Sequence, residues 1–198
     1  DEPGTDIDEP ETPLAPGVFT DVPAGHWASE AIAYVTGEGY FNGTSETTFG
    51  PSVPMSRAML ATVLWRMEGQ PAPTGANAFT DVAAGQWYTE AVRWAASEGI
   101  VNGVSDTAFA PDDPVTREQF AAILWRYAQY KGYDVSQKAD LSGYTDAASI
   151  SGYAKDALAW ANAQKLITGV TDTTLNPQGS ATRAQVATIL MRFCESIG

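Results

Sequence analysis

Positive charge is scarce in this 198-residue chain: 11 lysines and arginines stand against 24 aspartates and glutamates, for a net charge of −13. So little cationic surface argues against nucleic acid or an anionic membrane as the main partner, because both reward basic patches. The single cysteine, Cys194, excludes an internal disulfide and falls at a helical position, where it reads as a small core hydrophobe. The single histidine, His26, excludes a multi-histidine metal centre and leaves one imidazole base. No apolar run approaches the length that spans a bilayer. G-x-S-x-G, the P-loop and a Cys–His pairing are all missing. "SDTAFAPDD" looks superficially like a calcium loop but lacks the ligand spacing and the closing glutamate. The acids are scattered, with no pair set up for acid–base work. The chain therefore reads as a non-enzyme that uses no cofactor and no metal.

What is present points to a globular body. Hydrophobic residues make up 44% of the chain and aromatics 11%, enough to build a core. Residues 1–18 differ from the rest, with six acids, four prolines and no basic residue. Such a segment repels itself and favours extended conformations, so it reads as an acidic, Pro-rich linker to something upstream. The chain begins at Asp1 with no signal-like stretch and reads as a mature or excised piece.

After the linker comes a threefold repeat. "FTDVPAGHWASEAIAYVTGEGYFNG" begins at Phe19 and "FTDVAAGQWYTEAVRWAASEGIVNG" at Phe79. A more divergent copy, "YTDAASISGYAKDALAWANAQKLITG", begins at Tyr144 with one extra residue before its first helix. The repeats are assigned to 19–70, 79–131 and 141–198, joined by polar connectors rich in Gly, Pro or Ser. Each reads as helix, loop, helix. The first helices carry the stripes Trp27, Ala31, Tyr34, Val35; Trp87, Ala91, Trp94, Ala95; and Tyr153, Ala157, Trp160, Ala161. The second helices open at Ser56, Thr116 and Thr182, with Gln119 and Gln185 completing capping boxes. One helix pair cannot cover such faces alone. The spacing therefore predicts a mainly α body in which 19–198 form one cooperative, approximately threefold unit.

Six of the seven arginines occupy matched positions: Arg57 and Arg66, Arg117 and Arg126, Arg183 and Arg192. A nine-residue spacing puts the two of each copy on opposite sides of their helix. The later ones complement the helix dipole, whereas Arg57, Arg117 and Arg183 sit in the first turn, where cations are disfavoured. Exposed amides plus a guanidinium would suit a carboxylate or phosphate. Alternatively, each early arginine pairs with the "TD" aspartate of a repeat, Asp21, Asp81 or Asp146. The two readings can hold together. Trp27, Trp87 and Tyr153 read as core or hinge packing, while Trp65 and Trp125 are placed second, as aromatic groove walls for a sugar.

Taken jointly, F-T-D-V, the N-G turn, the T-x-F-x-P segment and "SRAM", "TREQ" and "TRAQ" followed by L-W-R resemble S-layer homology domains of bacterial surface proteins. The resemblance covers residues 19–198. It implies a mainly helical pseudo-threefold body with grooves between repeats. It also implies non-covalent anchoring of an upstream cargo domain to a secondary cell-wall polysaccharide, typically one bearing pyruvate ketals. The location would be the bacterial cell wall or S-layer, with no membrane insertion. The family's Thr-Arg-Ala-Glu groove motif maps to Arg57, Arg117 and Arg183. None of the three copies keeps the final glutamate, the first has serine for threonine, and Met191 replaces the tryptophan in the third. A structural or protein-interaction module of a surface lattice is the alternative function.

Overall fold

The computed structural model describes residues 19–197, so the linker read at 1–18 lies outside the described residues. Six α-helices carry the fold, and no strand forms among the described residues. Repeat 1 holds α1 (Ser29–Gly37) and α2 (Arg57–Met67), and repeat 2 holds α3 (Thr89–Ser97) and α4 (Arg117–Tyr130). Repeat 3 holds α5 (Lys155–Ala163) and α6 (Arg183–Ser196). Its extra residue is absorbed by two single 3-10 turns, Ala147–Ser149 and Gly152–Ala154, ahead of α5. The long helices start where the sequence predicts. Ser56, Thr116 and Thr182 each accept the amide three residues on, and Gln119 and Gln185 reach back to close the box.

The close helix pairs form between repeats rather than within them. α2 lies on α3, α4 on α5, and α6 returns to α1, whereas the backbones of the two helices of one repeat stay apart, and in repeat 2 they meet through side chains, the Trp94 ring edge-on to Tyr130 at 5.8 Å between centres. A ring of backbone bonds locks this cycle. The Met55 N–H donates to Ala181 O (2.8 Å), Ala181 N–H to Val115 O (2.9 Å), and Val115 N–H to Met55 O (2.8 Å). Repeat 3 thus closes onto repeat 1, and one continuous core runs through all three, with Phe41, Phe49, Leu60, Trp94, Phe120 and Trp160 among its buried side chains.

Within each repeat the entry segment and the loop before the long helix are stitched together. Thr20, Thr80 and Thr145 donate both N–H and hydroxyl to the carbonyls of Thr47, Thr107 and Thr173. The tight N-G turn needs its glycine: a Cβ on Gly103 would stand 2.6 Å from the Phe79 ring. The loop then passes through a left-handed residue, filled by Gly50, Ala110 and Asn176 in turn, with φ of 70°, 57° and 52°. Glycine and asparagine tolerate this region and alanine does not, so repeat 2 carries strain that its partners avoid.

Two outcomes follow from this architecture. Ala110→Gly should stabilise the protein by about 0.5–1 kcal/mol, read as a shift of the urea midpoint; a loss of stability would show the backbone is not strained there. A fragment of residues 79–131 should fail to fold, because α3 and α4 lack their partner helices, α2 and α5. Native-like helix content with a cooperative melt in that fragment would contradict the ring.

Candidate functional site: grooves between repeats

The first-turn arginines meet the neighbouring repeat. Arg57 donates from Nε to Phe109 O and from Nη2 to Asn102 O, both at 2.6 Å. Arg117 makes the same pair to Leu175 O and Thr168 O, each 2.8 Å. Arg183 closes the cycle on Phe49 O (2.9 Å) and Asn42 O (2.6 Å). All three are buried, at 7%, 6% and 0% exposure. The Arg57 guanidinium also lies 4.6 Å from the Phe109 ring centre, as does Arg183 from that of Phe49. Burial pulls the Arg57 and Arg117 guanidiniums below their ordinary pKa, but a guanidinium remains charged in a protein.

The amides of these helix N-termini are not open donors, contrary to the expectation of exposed N–H groups. Arg57 N–H and Ala58 N–H go to Asp113 O and Pro111 O of repeat 2, and the third amide goes to Ser56. Repeats 2 and 3 repeat the pattern on Gly179 and Pro177, and on Val53 and Pro51. The first turn of each long helix is therefore plugged by the next repeat's loop. What Arg57 and Arg117 still offer is the rest of the guanidinium: two of five N–H groups are used, which leaves three.

The three aspartates do not grip the arginines directly. Asp81 accepts the amides of Phe109 (2.8 Å) and Ala110 (2.7 Å), Asp21 those of Phe49 and Gly50, and Asp146 those of Leu175 and Asn176. The aspartate thus holds the N–H, and the arginine from the preceding repeat holds the C=O, of one loop residue. Partial desolvation opposes ionisation of Asp81, yet the two amides and the nearby Arg57 charge bring its carboxyl below the usual range. The Leu175 amide leads the same effect at Asp146.

Two grooves lie between repeats beside these arginines. One, of about 300 Å³, is lined by Arg57, Asn102, Gln119, Ile123, Arg126 and Tyr153. The other, of about 260 Å³, is lined by Arg117, Thr168, Gln185, Ile189, Arg192 and Trp27. Each draws its early arginine from one repeat, its floor helix and late arginine from the next, and its aromatic from the third. By repeat correspondence the third position holds Arg183, Met59, Arg66 and Trp87. No acidic residue lines either groove.

Several of these residues were not picked out by the sequence reading. Arg126 and Arg192 looked like simple dipole partners, although their placement opposite the early arginine is what sends them to a different groove. Trp27 and Tyr153, read as core or hinge packing, are 65% and 55% exposed, so neither is in the core. They sit at the entrance of their short helices, outside the stripe that α6 and α4 cover. Trp65 and Trp125 are half-buried against the core and line neither groove, and the Trp65 indole donates to Pro71 O at 2.8 Å. Cys194 is half-buried beside Tyr34, and burial pushes its thiol up.

Comparisons to known proteins find the same three repeats in the sequence. The family model described as "S-layer homology domain" matches residues 18–59, 78–121 and 143–187. The chain belongs to the S-layer homology domain family. It is 33% identical over 87% of its length to an endoglucanase of Bacillus sp. (strain KSM-635), covering 18% of that protein. It is 32% identical over 86% of its length to the surface-layer 125 kDa protein of Lysinibacillus sphaericus, covering 14% of it, and 29% identical over 91% to an amylopullulanase of Thermoanaerobacterium thermosulfurigenes, covering 10%. The chain thus spans between a tenth and a fifth of these curated relatives. S-layer homology domains are cell-surface modules associated with the wall, and the chain is a tandem array of three.

Acid should weaken the loop clamps in a predictable direction. Asp81 and Asp146 have depressed native pKa values, so their stabilisation is complete above the unfolded carboxyl value of about 3.9 and is lost as pH falls through and below it. Asp81→Asn and Asp146→Asn should be less stable than wild type at pH 7 and should converge on it toward pH 2, measured by urea midpoints across the range. A constant gap at all pH values would remove the carboxylates from the clamp.

Proposed function

We propose that this S-layer homology array anchors its parent protein non-covalently to the cell wall by seating an acidic secondary wall polysaccharide in the inter-repeat grooves. The carboxylate of a pyruvylated sugar lies between the paired arginines. One observation carries the reading: in a chain of net charge −13, each groove joins two arginines from different repeats with a side-chain amide and an exposed aromatic, and no acid. General attraction to a polyanion is excluded by the overall charge, so local donors must do the binding. Arg57 with Arg126, and Arg117 with Arg192, supply planar donors that can take a carboxylate in bidentate fashion. Tyr153 and Trp27 supply the flat face against which a sugar ring packs. Groove volumes near 300 Å³ sit at the small end of ligand sites and suit one or two sugar residues rather than a folded partner.

The module itself carries out no chemistry. The hydrolases among its relatives are matched over only 10–18% of their lengths, as expected if the shared part is the anchor and the remainder the cargo.

The test is to titrate wild type, Arg126→Ala, Arg192→Ala and the double variant against purified wall polymer, intact and stripped of pyruvyl groups. A charge-assisted hydrogen bond is worth about 1.5–3 kcal/mol, so each variant should lose roughly ten- to a hundredfold in affinity at its own groove. These late arginines are the informative targets. Arg57→Ala and Arg117→Ala would strand buried carbonyls and destabilise the fold by roughly 2–4 kcal/mol, confounding any binding loss. Equal affinity for both polymers, or wild-type affinity in the double variant, would discard the carboxylate. Self-association without polymer binding would favour a lattice unit instead.

A further inference from the structure

Behind the groove of Arg57 and Arg126 stands a side chain that does not line it but bonds to one that does. Glu118, the second residue of α4, is 2% exposed. Its Oε2 accepts the Ser151 N–H at 2.9 Å, and its Oε1 accepts the Ser151 hydroxyl at 2.7 Å and the Tyr153 hydroxyl at 3.2 Å. Three donors of repeat 3 therefore converge on one buried carboxylate of repeat 2. Desolvation would make that carboxylate costly without such partners, and its place in the first turn of a helix favours negative charge.

The arrangement occurs at one repeat junction of three. Where α6 meets repeat 1, the counterparts of Glu118, Ser151 and Tyr153 are Ala184, Gly25 and Trp27; where α2 meets repeat 2, they are Ala58, Gly85 and Trp87. Acceptor and donors are present together or absent together. Repeat 3 is also the copy whose entry to the short helix is remade by the extra residue and the two 3-10 turns. Tyr153 stands on that altered segment. Its ring is 55% exposed, yet its hydroxyl is tied down. An exposed aromatic that is fixed before binding has less conformational freedom to lose when a ligand arrives.

We propose that Glu118 is a positioning residue for ligand binding in this groove: by holding Ser151 and the Tyr153 hydroxyl, it sets the aromatic wall that faces Arg57 and Arg126. The inference rests on the anchoring function proposed above. It makes the two grooves chemically distinct, since the wall of the second is Trp27, stacked on His26 at 5.5 Å between ring centres with no buried acid behind it. The same contact keeps the tyrosine neutral. Burial and the Glu118 charge push its phenol up to about 12, so no phenolate forms beside an anionic sugar at moderately alkaline pH.

The experiment uses the 198-residue chain and follows each groove separately by amide NMR. Gly103 reports the Tyr153 groove and Gly169 the Trp27 groove. The probe is a hexosamine methyl glycoside bearing a pyruvate ketal, with the ketal-free glycoside as control. Variants are Glu118→Ala, Tyr153→Phe and the pair. Alanine is the residue the other two junctions carry, so the fold should accept it. The expected result is about a tenfold loss of affinity at Gly103 in either single variant, no further loss in the pair, and no change at Gly169. In Glu118→Ala the Tyr153 phenol should also titrate lower, toward the ordinary value of about 10. Wild-type affinity at Gly103 in Glu118→Ala, or equal losses at both glycines, would overturn the positioning role. A wild-type chain with no ketal-dependent shift at either glycine would overturn the anchoring function itself and this inference with it, and that failure shows before any variant is made.

Discussion

Three arginines, one per repeat, hold the molecule shut by donating to backbone carbonyls of the next repeat. Everything else in the structure is arranged around that exchange. Because the guanidinium reaches across the junction, the loop it grips must keep a fixed shape. The aspartate clamp, the close-packed glycine of the N-G turn and the left-handed residue all serve that shape. Because the loop is fixed, its carbonyls plug the amides at the start of the neighbour's long helix. The helices of one repeat then lie chiefly on those of other repeats, and a groove opens at the junction.

The electrostatics follow from the choice of partner. An arginine that met its aspartate directly would be neutralised and would add little for a ligand. Here the carboxylate and the guanidinium bind opposite ends of one peptide residue, so the loop is held from both sides while the two charges make no direct ion pair. At Arg57 and Arg117, carbonyl dipoles satisfy two donors and leave the rest of the fork. A strongly acidic chain thereby keeps local cationic sites without building a basic surface.

Most of the fold was legible in the sequence because it repeats. Matched caps at Ser56, Thr116 and Thr182, with matched apolar stripes behind them, located the long helices, and the threefold copy number implied mutual burial. The partner of each arginine was not legible, because a backbone carbonyl leaves no mark on residue identity; only charged side chains could be proposed. Periodicity also misplaced Trp27 and Tyr153. They fall on the apolar stripe by spacing, but they precede the helix proper, where the neighbour that covers Ala31 or Ala157 no longer reaches. The late arginines were discounted because dipole complementarity already explained them. The nine-residue interval held the answer: in a cyclic arrangement opposite faces of one helix look into different junctions, so each long helix contributes to two grooves.

Closure of repeat 3 onto repeat 1 sets this module apart from helical-repeat proteins that stack in a line. A linear array tolerates gain or loss of internal copies, since its ends are capped and its middle is indifferent to length. A ring has no middle. A fourth copy would have no vacant junction, and a chain with two would expose an arginine with no carbonyls to hold. In this ring every junction arginine already holds its carbonyls, so a further copy would have to find its partners outside it.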